Sequence, residues 1–370
     1  MKDQKRLLGI DLCKGFSAYA VVLLHSGDQT LGSVTFWASQ LRSFSYYAVP
    51  FFLATAFYFM ICKANFHTSF NFWIRRAQRL LAPYFIWTII YLISKLVLFQ
   101  VTKKGQGLND ALHDPMSTIL FGGASVQLYF LPLLLAGTTL IVLAEYLLHR
   151  GVSITVLVFL AILSIAASEA VLSTGNAFQL ETGVAFQQIF NEIIPDLKQE
   201  PIVRFLLVQM AWIIVCLPYL LMSIILRYII FERKFIFASQ SNSGTYSLIL
   251  LVLFVLINTL GRTFLARIPM DIAAAYILLI FGIYASDLLE KSSRIVLSAT
   301  QNLGFCSFGI YLIHPFLLNF FEILINGSQP KDEVTIFSLM LISIPTFLIS
   351  WVAVSILSRD RALSRLLFST

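Results

Sequence analysis

The sequence predicts an all-α membrane protein, a single polytopic bundle of about ten transmembrane helices with both termini cytoplasmic. Three observations predict it. Of 370 residues, 58% are hydrophobic and only 12% charged, with a mean hydropathy of +0.83, whereas a soluble domain carries about 25% charged residues. The apolar residues come in runs of about 20, long enough for a ~30 Å hydrocarbon core. Lysine and arginine also fall unequally on alternate loops, as they do when cytoplasmic retention of positive charge sets the topology.

The runs lie near 7–26, 43–62, 80–100, 127–148, 152–171, 202–226, 245–261, 272–288, 304–325 and 334–357. The first follows Lys2, Lys5 and Arg6 with no small-residue cleavage site behind it, so it reads as a retained helix. The third is entered through Arg75, Arg76 and Arg79, and the ninth is interrupted by Pro315. Proline there removes a backbone hydrogen bond and kinks the helix. With the N-terminus inside, the cytoplasmic side collects Lys2, Lys5, Arg6, Lys63, Arg75, Arg76, Arg79, Arg150, Arg227, Arg233, Lys234, Lys291, Arg294, Arg359, Arg361 and Arg365. The outer side holds the smaller set: Arg42, Lys95, Lys103, Lys104, Lys198, Arg204, Arg262, Arg267 and Lys331. The net charge of +7 therefore has a topological origin, and without a basic soluble domain a nucleic-acid partner is not expected.

No polar linker divides the chain, so residues 1–370 read as one transmembrane domain. The longest extramembrane stretch, 172–201, is rich in Gln and acids, among them Gln179 and Glu181. Phe186, Ile189, Phe190, Ile193 and Ile194 recur there at helical spacing. A short amphipathic helix on the bilayer and a plain connector both fit that pattern. Cys13, Cys62, Cys216 and Cys306 are scattered through apolar segments without metal-ligand spacing, which favours buried filler. No HExxH, GxSxG or P-loop pattern occurs, and no metal is expected.

Ionisable residues inside apolar spans are costly and point to a cavity or pathway. Asp11 and Lys14 are three apart in the first span. Lys14 and His25 share a face roughly 16 Å apart along the axis. His25 lies toward the outer end, where neutral imidazole suits the role of general base. Arg75, Arg76 and Arg79 form a compact donor array that fits phosphate, although positive-inside anchoring to anionic lipid explains the same residues. His314, about halfway through the ninth span, reads equally as a proton carrier and as a packing histidine whose N–H satisfies a carbonyl freed by the kink. Glu322 follows two turns later.

Five stretches, 6–25, 49–57, 73–87, 128–134 and 309–315, resemble the integral-membrane acyltransferase 3 family over nearly the whole chain. The family's first-helix signature, a basic residue and then His, is matched by Lys14 and His25 with ten residues between. Its basic stretch leading into Arg-Leu-Leu-x-Pro-Tyr is matched by Arg75, Arg76 and Arg79 through Leu80, Leu81, Pro83 and Tyr84. Leu128-Tyr129-Phe130-Leu131 looks like its Leu-Trp-Phe-Leu stretch, and Tyr311-Leu312-Ile313-His314-Pro315 like its Tyr-Leu-x-His-Pro. Lys14 replaces the commoner Arg, Tyr129 the usual Trp, and the Ser-Gly after Pro50-Phe51-Phe52 is missing.

The resemblance implies transfer of an acyl group, acetyl first, from cytoplasmic acyl-CoA to a hydroxyl of a carbohydrate or lipid-linked glycan at the outer face of the cell (inner or plasma) membrane. His25 would be the base, with Asp11 and Lys14 lining the passage and Arg75, Arg76 and Arg79 holding CoA phosphates. His314, beside Tyr311, would stabilise the oxyanion or orient a substrate. A transporter of lipid-linked sugars and a relative without catalysis stand as alternatives, and the sequence leaves the oligomeric state open.

Overall fold

The computed structural model describes residues 6–27, 33–62, 68–102, 112–174, 184–232, 243–326 and 333–368. Lys2, Lys5, Lys63, His67, Lys103, Lys104, Gln179, Glu181, Arg233, Lys234 and Lys331 lie outside them, as does the side chain of Glu322. Among the described residues ten helices are long and apolar enough to cross a membrane, one for each expected run. The chain is an all-α, multi-pass membrane protein.

The elements run α1 Leu8–His25, β1 Ser33–Val34, α2 Phe36–Ser45, α3 Ala48–Ile61, α4 Phe70–Thr102, α5 Pro115–Leu120, α6 Phe130–Thr138, α7 Ile141–His149, α8 Ile154–Thr174, α9 Gln187–Phe190, α10 Pro201–Glu232, α11 Ser243–Phe264, α12 Arg267–Leu289, α13 Arg294–Asn326, β2 Glu333–Val334, α14 Ile336–Leu357 and α15 Arg361–Phe368. Three boundaries differ from the hydropathy reading. The second span starts earlier and is broken between α2 and α3, where Pro50 cannot donate to the carbonyl four residues back. Helices α4 and α13 begin about ten residues before their apolar runs, because a polar turn propagates a helix as readily as an apolar one once nucleated. In the 184–200 stretch the amphipathic pattern yields one short turn, α9, entered through Phe186 in the left-handed region at φ 60°.

The chain forms two compact units. Met1–Ala56, Glu232–Ser364 and Thr370 make one; Phe57–Phe231 and Arg365–Ser369 make the other. In the first, α1 packs along α12, α13 and α14. Small residues set the approach: a Cβ on Gly9 would collide with the Gly282 carbonyl and Ser286, and Gly9 N–H donates to Ser286 Oγ at 2.9 Å. Close backbone approach of this kind drives helix association where lipid removes the hydrophobic incentive. The two-residue strands pair in parallel over a small core of Ala38, Val334 and Leu339, and Thr335 opens α14 with a capping box on Ser338.

In the second unit α4 packs against α6. The connection between α4 and α6 carries α5, with Asp114 capping it and Pro115 in its first turn. Arg204, 2% exposed, holds Asp114 through both carboxylate oxygens. Tyr84 Oη donates to Ile119 O and accepts from Gly122 N–H, both at 2.9 Å, which ties α4 to the end of α5.

Candidate active site

Helix α1 ends at His25, and α13 carries Tyr311, His314 and Pro315. The fold brings the end of α1 against the middle of α13: the His25 and His314 rings stack with centroids 5.7 Å apart and planes at 29°. His314 is fully buried and His25 half-buried. His314 Nδ1 lies 2.8 Å from Tyr311 O and 3.3 Å from Ile310 O, while Nε2 has no hydrogen-bond partner among the described residues. The Tyr311 ring meets His314 at 6.1 Å and Phe52 at 6.0 Å, so the Pro50-Phe51-Phe52 stretch reaches the same cluster. Arg42 of α2 donates to the carbonyl of Ser26, the residue after His25.

About three and four turns before His25, α1 holds Lys14 and Asp11. Asp11 Oδ2 accepts from Arg6 Nε at 2.5 Å, and Asp11 Oδ1 faces Lys14 Nζ at 3.9 Å. Arg6 also donates to Gln301 O at 2.8 Å on α13. Asp11 is thus an anchor for two cations, and its closest partner is Arg6, which the sequence had marked only for orientation. Gly304 makes room for it, because a Cβ there would overlap the Asp11 carboxyl. Lys14 keeps a quarter of its side chain exposed.

The arginine array lies in the other unit and is split. Arg75 and Arg79, four apart on α4, are exposed on one face. Arg76 turns toward α6, where Nε donates to Thr138 Oγ1 at 3.3 Å and the buried Nη2 has no partner among the described residues. Leu128 and Leu131 of the fourth motif are buried in the core. His113 and His149 are exposed and belong to neither cluster.

The motif residues thus fall at helix ends and crossings within a membrane bundle, and they do so along nearly the whole chain. A family model, the acyltransferase 3 family's "Acyltransferase domain", matches residues 7–355. The chain belongs to this acyltransferase family. No curated protein and no solved structure matches it. For a membrane acyltransferase the useful features are a base that reaches the acceptor and a polar lining able to meet developing charge. The imidazole pair joins the end of α1 to α13, and the Arg6–Asp11–Lys14 cluster lies at the start of α1.

The residues that sequence reasoning missed are Phe52, Arg42, Arg6 as a partner of Asp11, and the Asp114–Arg204 pair. Only the last left a local trace, the Asp-Pro-x-Ser sequence at 114–117 typical of a capped helix start.

Proposed function

We propose that the protein is an O-acyltransferase that moves an acyl group, acetyl first, from cytoplasmic acyl-CoA to a hydroxyl of a carbohydrate or lipid-linked glycan at the outer face of the cell membrane. The observation that carries this reading is the His25–His314 ring pair in a chain of the acyltransferase family. A hydroxyl is a weak nucleophile until a base takes its proton, and neutral imidazole does so near neutral pH. His25 removes the proton as the hydroxyl oxygen attacks the thioester carbonyl. The tetrahedral intermediate then collapses, the C–S bond breaks, and the proton passes from His25 to the departing thiolate. Ester and CoA are the products.

Arg75 and Arg79 hold the CoA phosphates through charge-assisted, paired hydrogen bonds, while Arg76 stands apart from them against Thr138. Lys14, on the His25 face of α1 roughly 16 Å away, gives the donor's route a positive charge that Asp11 holds in place.

The test combines two measurements. Purified protein is titrated with acetyl-CoA, and glycans of cells with and without the gene are compared by mass spectrometry. Acetyl-CoA binding and acetylated sugars that vanish without the gene are expected. His25→Ala should abolish acetylation, and Arg79→Ala should raise the acetyl-CoA concentration needed. Folded protein that neither binds nor hydrolyses acetyl-CoA, or unchanged acylation in both variants, overturns the reading.

A further inference from the structure

His314 and Pro315 form a device that the acyl-transfer steps above do not use. Pro315 has no N–H, so the carbonyl four residues back, that of Tyr311, is left open inside α13. His314 Nδ1 occupies it at 2.8 Å. A carbonyl oxygen only accepts, so Nδ1 carries the proton and Nε2 of the neutral ring carries a lone pair. That lone pair is buried, has no partner among the described residues, and belongs to a ring stacked on His25. A buried acceptor left bare costs stability that an apolar side chain of similar size would avoid. This tautomer has no second N–H with which to donate to an oxyanion.

We propose that His314 binds the acceptor substrate by accepting, at Nε2, a hydrogen bond from a hydroxyl adjacent to the one His25 deprotonates, and that Pro315 is the positioning residue that sets the tautomer. The acceptor is therefore a sugar bearing neighbouring free hydroxyls, one for each imidazole, rather than an isolated alcohol. Rings 5.7 Å apart are close enough for one sugar ring to meet both imidazoles through hydrogen bonds of about 2.8 Å. The proposal rests on the acyltransfer reading and adds to it the shape of the acceptor.

Three variants test it. In His314→Asn the side-chain amide N–H replaces Nδ1–H toward Tyr311 O, but nothing stands in the place of Nε2. In His314→Gln an amide oxygen reaches the Nε2 position. In Pro315→Ala a backbone N–H competes for Tyr311 O and frees the ring to change tautomer. His314→Asn should keep the wild-type melting temperature and acetyl-CoA binding while glycan acetylation falls about a hundredfold, the cost of losing a positioning contact. His314→Gln should recover part of that loss. Pro315→Ala should acetylate more slowly and show, in histidine-labelled protein, a 15N signal for His314 shifted toward a mixture of tautomers.

A stable His314→Asn protein that acetylates like wild type, beside an inactive His25→Ala, overturns the assignment of His314 and leaves the acyltransfer reading standing. A wild-type protein without acetyl-CoA-dependent acylation overturns both. Pro315→Ala with an unchanged 15N signal overturns the role given to proline.

Discussion

Asp114 grips Arg204 with both carboxylate oxygens, at 2.9 and 2.6 Å, and so binds the start of α5 to α10. Arg204 is almost wholly buried, and its guanidinium also lies over the Phe121 ring. Asp114→Ala would take the two-pronged carboxylate partner away from a buried cation, and a loss of about 3 kcal/mol is expected in denaturant or thermal unfolding. Arg204→Ala should cost less, since Asp114 is partly exposed and rehydrates.

The same pair sets an acid limit. Burial acts first on the Asp114 carboxyl and raises its pKa. The hydrogen bonds from Arg204 and Ser117 N–H, with the charges of Arg204 and Lys198, outweigh it and bring the pKa below the usual value. A carboxylate with a depressed folded pKa stabilises above its unfolded pKa and loses that contribution as pH falls through the folded one. The melting-temperature gap between wild type and Asp114→Ala should therefore be full at neutral pH and shrink below about pH 4. A gap that is constant down to strong acid would refute the ion pair's part in stability.

Tyr84→Phe removes one hydroxyl and leaves two backbone groups, Ile119 O and Gly122 N–H, without their partner. Tyr84 is 1% exposed, so little water reaches the site. Destabilisation of about 1–2 kcal/mol is expected, with the melting temperature as the measurement. Unchanged stability would mean that the α4–α5 tie carries no energy.

Gly304→Ala should destabilise by about 1–3 kcal/mol, because its Cβ has to displace Asp11 and the neighbouring turn of α1. Gly244 makes the control: a Cβ there meets only Leu288 Cδ2 at 4.0 Å. Gly244→Ala should be neutral or stabilising by about 0.5 kcal/mol. Equal effects at both positions would sink the packing argument.

Asp11→Asn keeps the shape and removes the charge that faces Arg6 and Lys14. If the charge on Lys14 serves catalysis through its placement, acetylation should fall about tenfold or more with acetyl-CoA binding retained. Loss of binding alone would assign Asp11 to the donor site instead.

The sequence by itself determined the number and order of the spans, since each of the ten apolar runs became a helix able to cross a membrane. Hydropathy and helical period are local quantities, and backbone hydrogen bonding inside lipid leaves a long apolar run little choice but helix. Local chemistry also told that Asp11 and Lys14 share a face, and that a histidine N–H next to Pro315 has a freed carbonyl within reach, as Tyr311 O turned out to be.

Only the tertiary structure decided which local features meet. Nothing in the first span says that His25 stacks on His314, that Phe52 reaches Tyr311, or that Asp11 prefers Arg6 to Lys14. These contacts depend on how glycines such as Gly9 and Gly304 let backbones approach, and that is a property of two surfaces at once. Arg76 parted from Arg75 and Arg79 for the same reason: at 100° per residue its side chain turns to α6 while theirs stay exposed. Periodicity gives each residue a direction, and packing decides what it finds there.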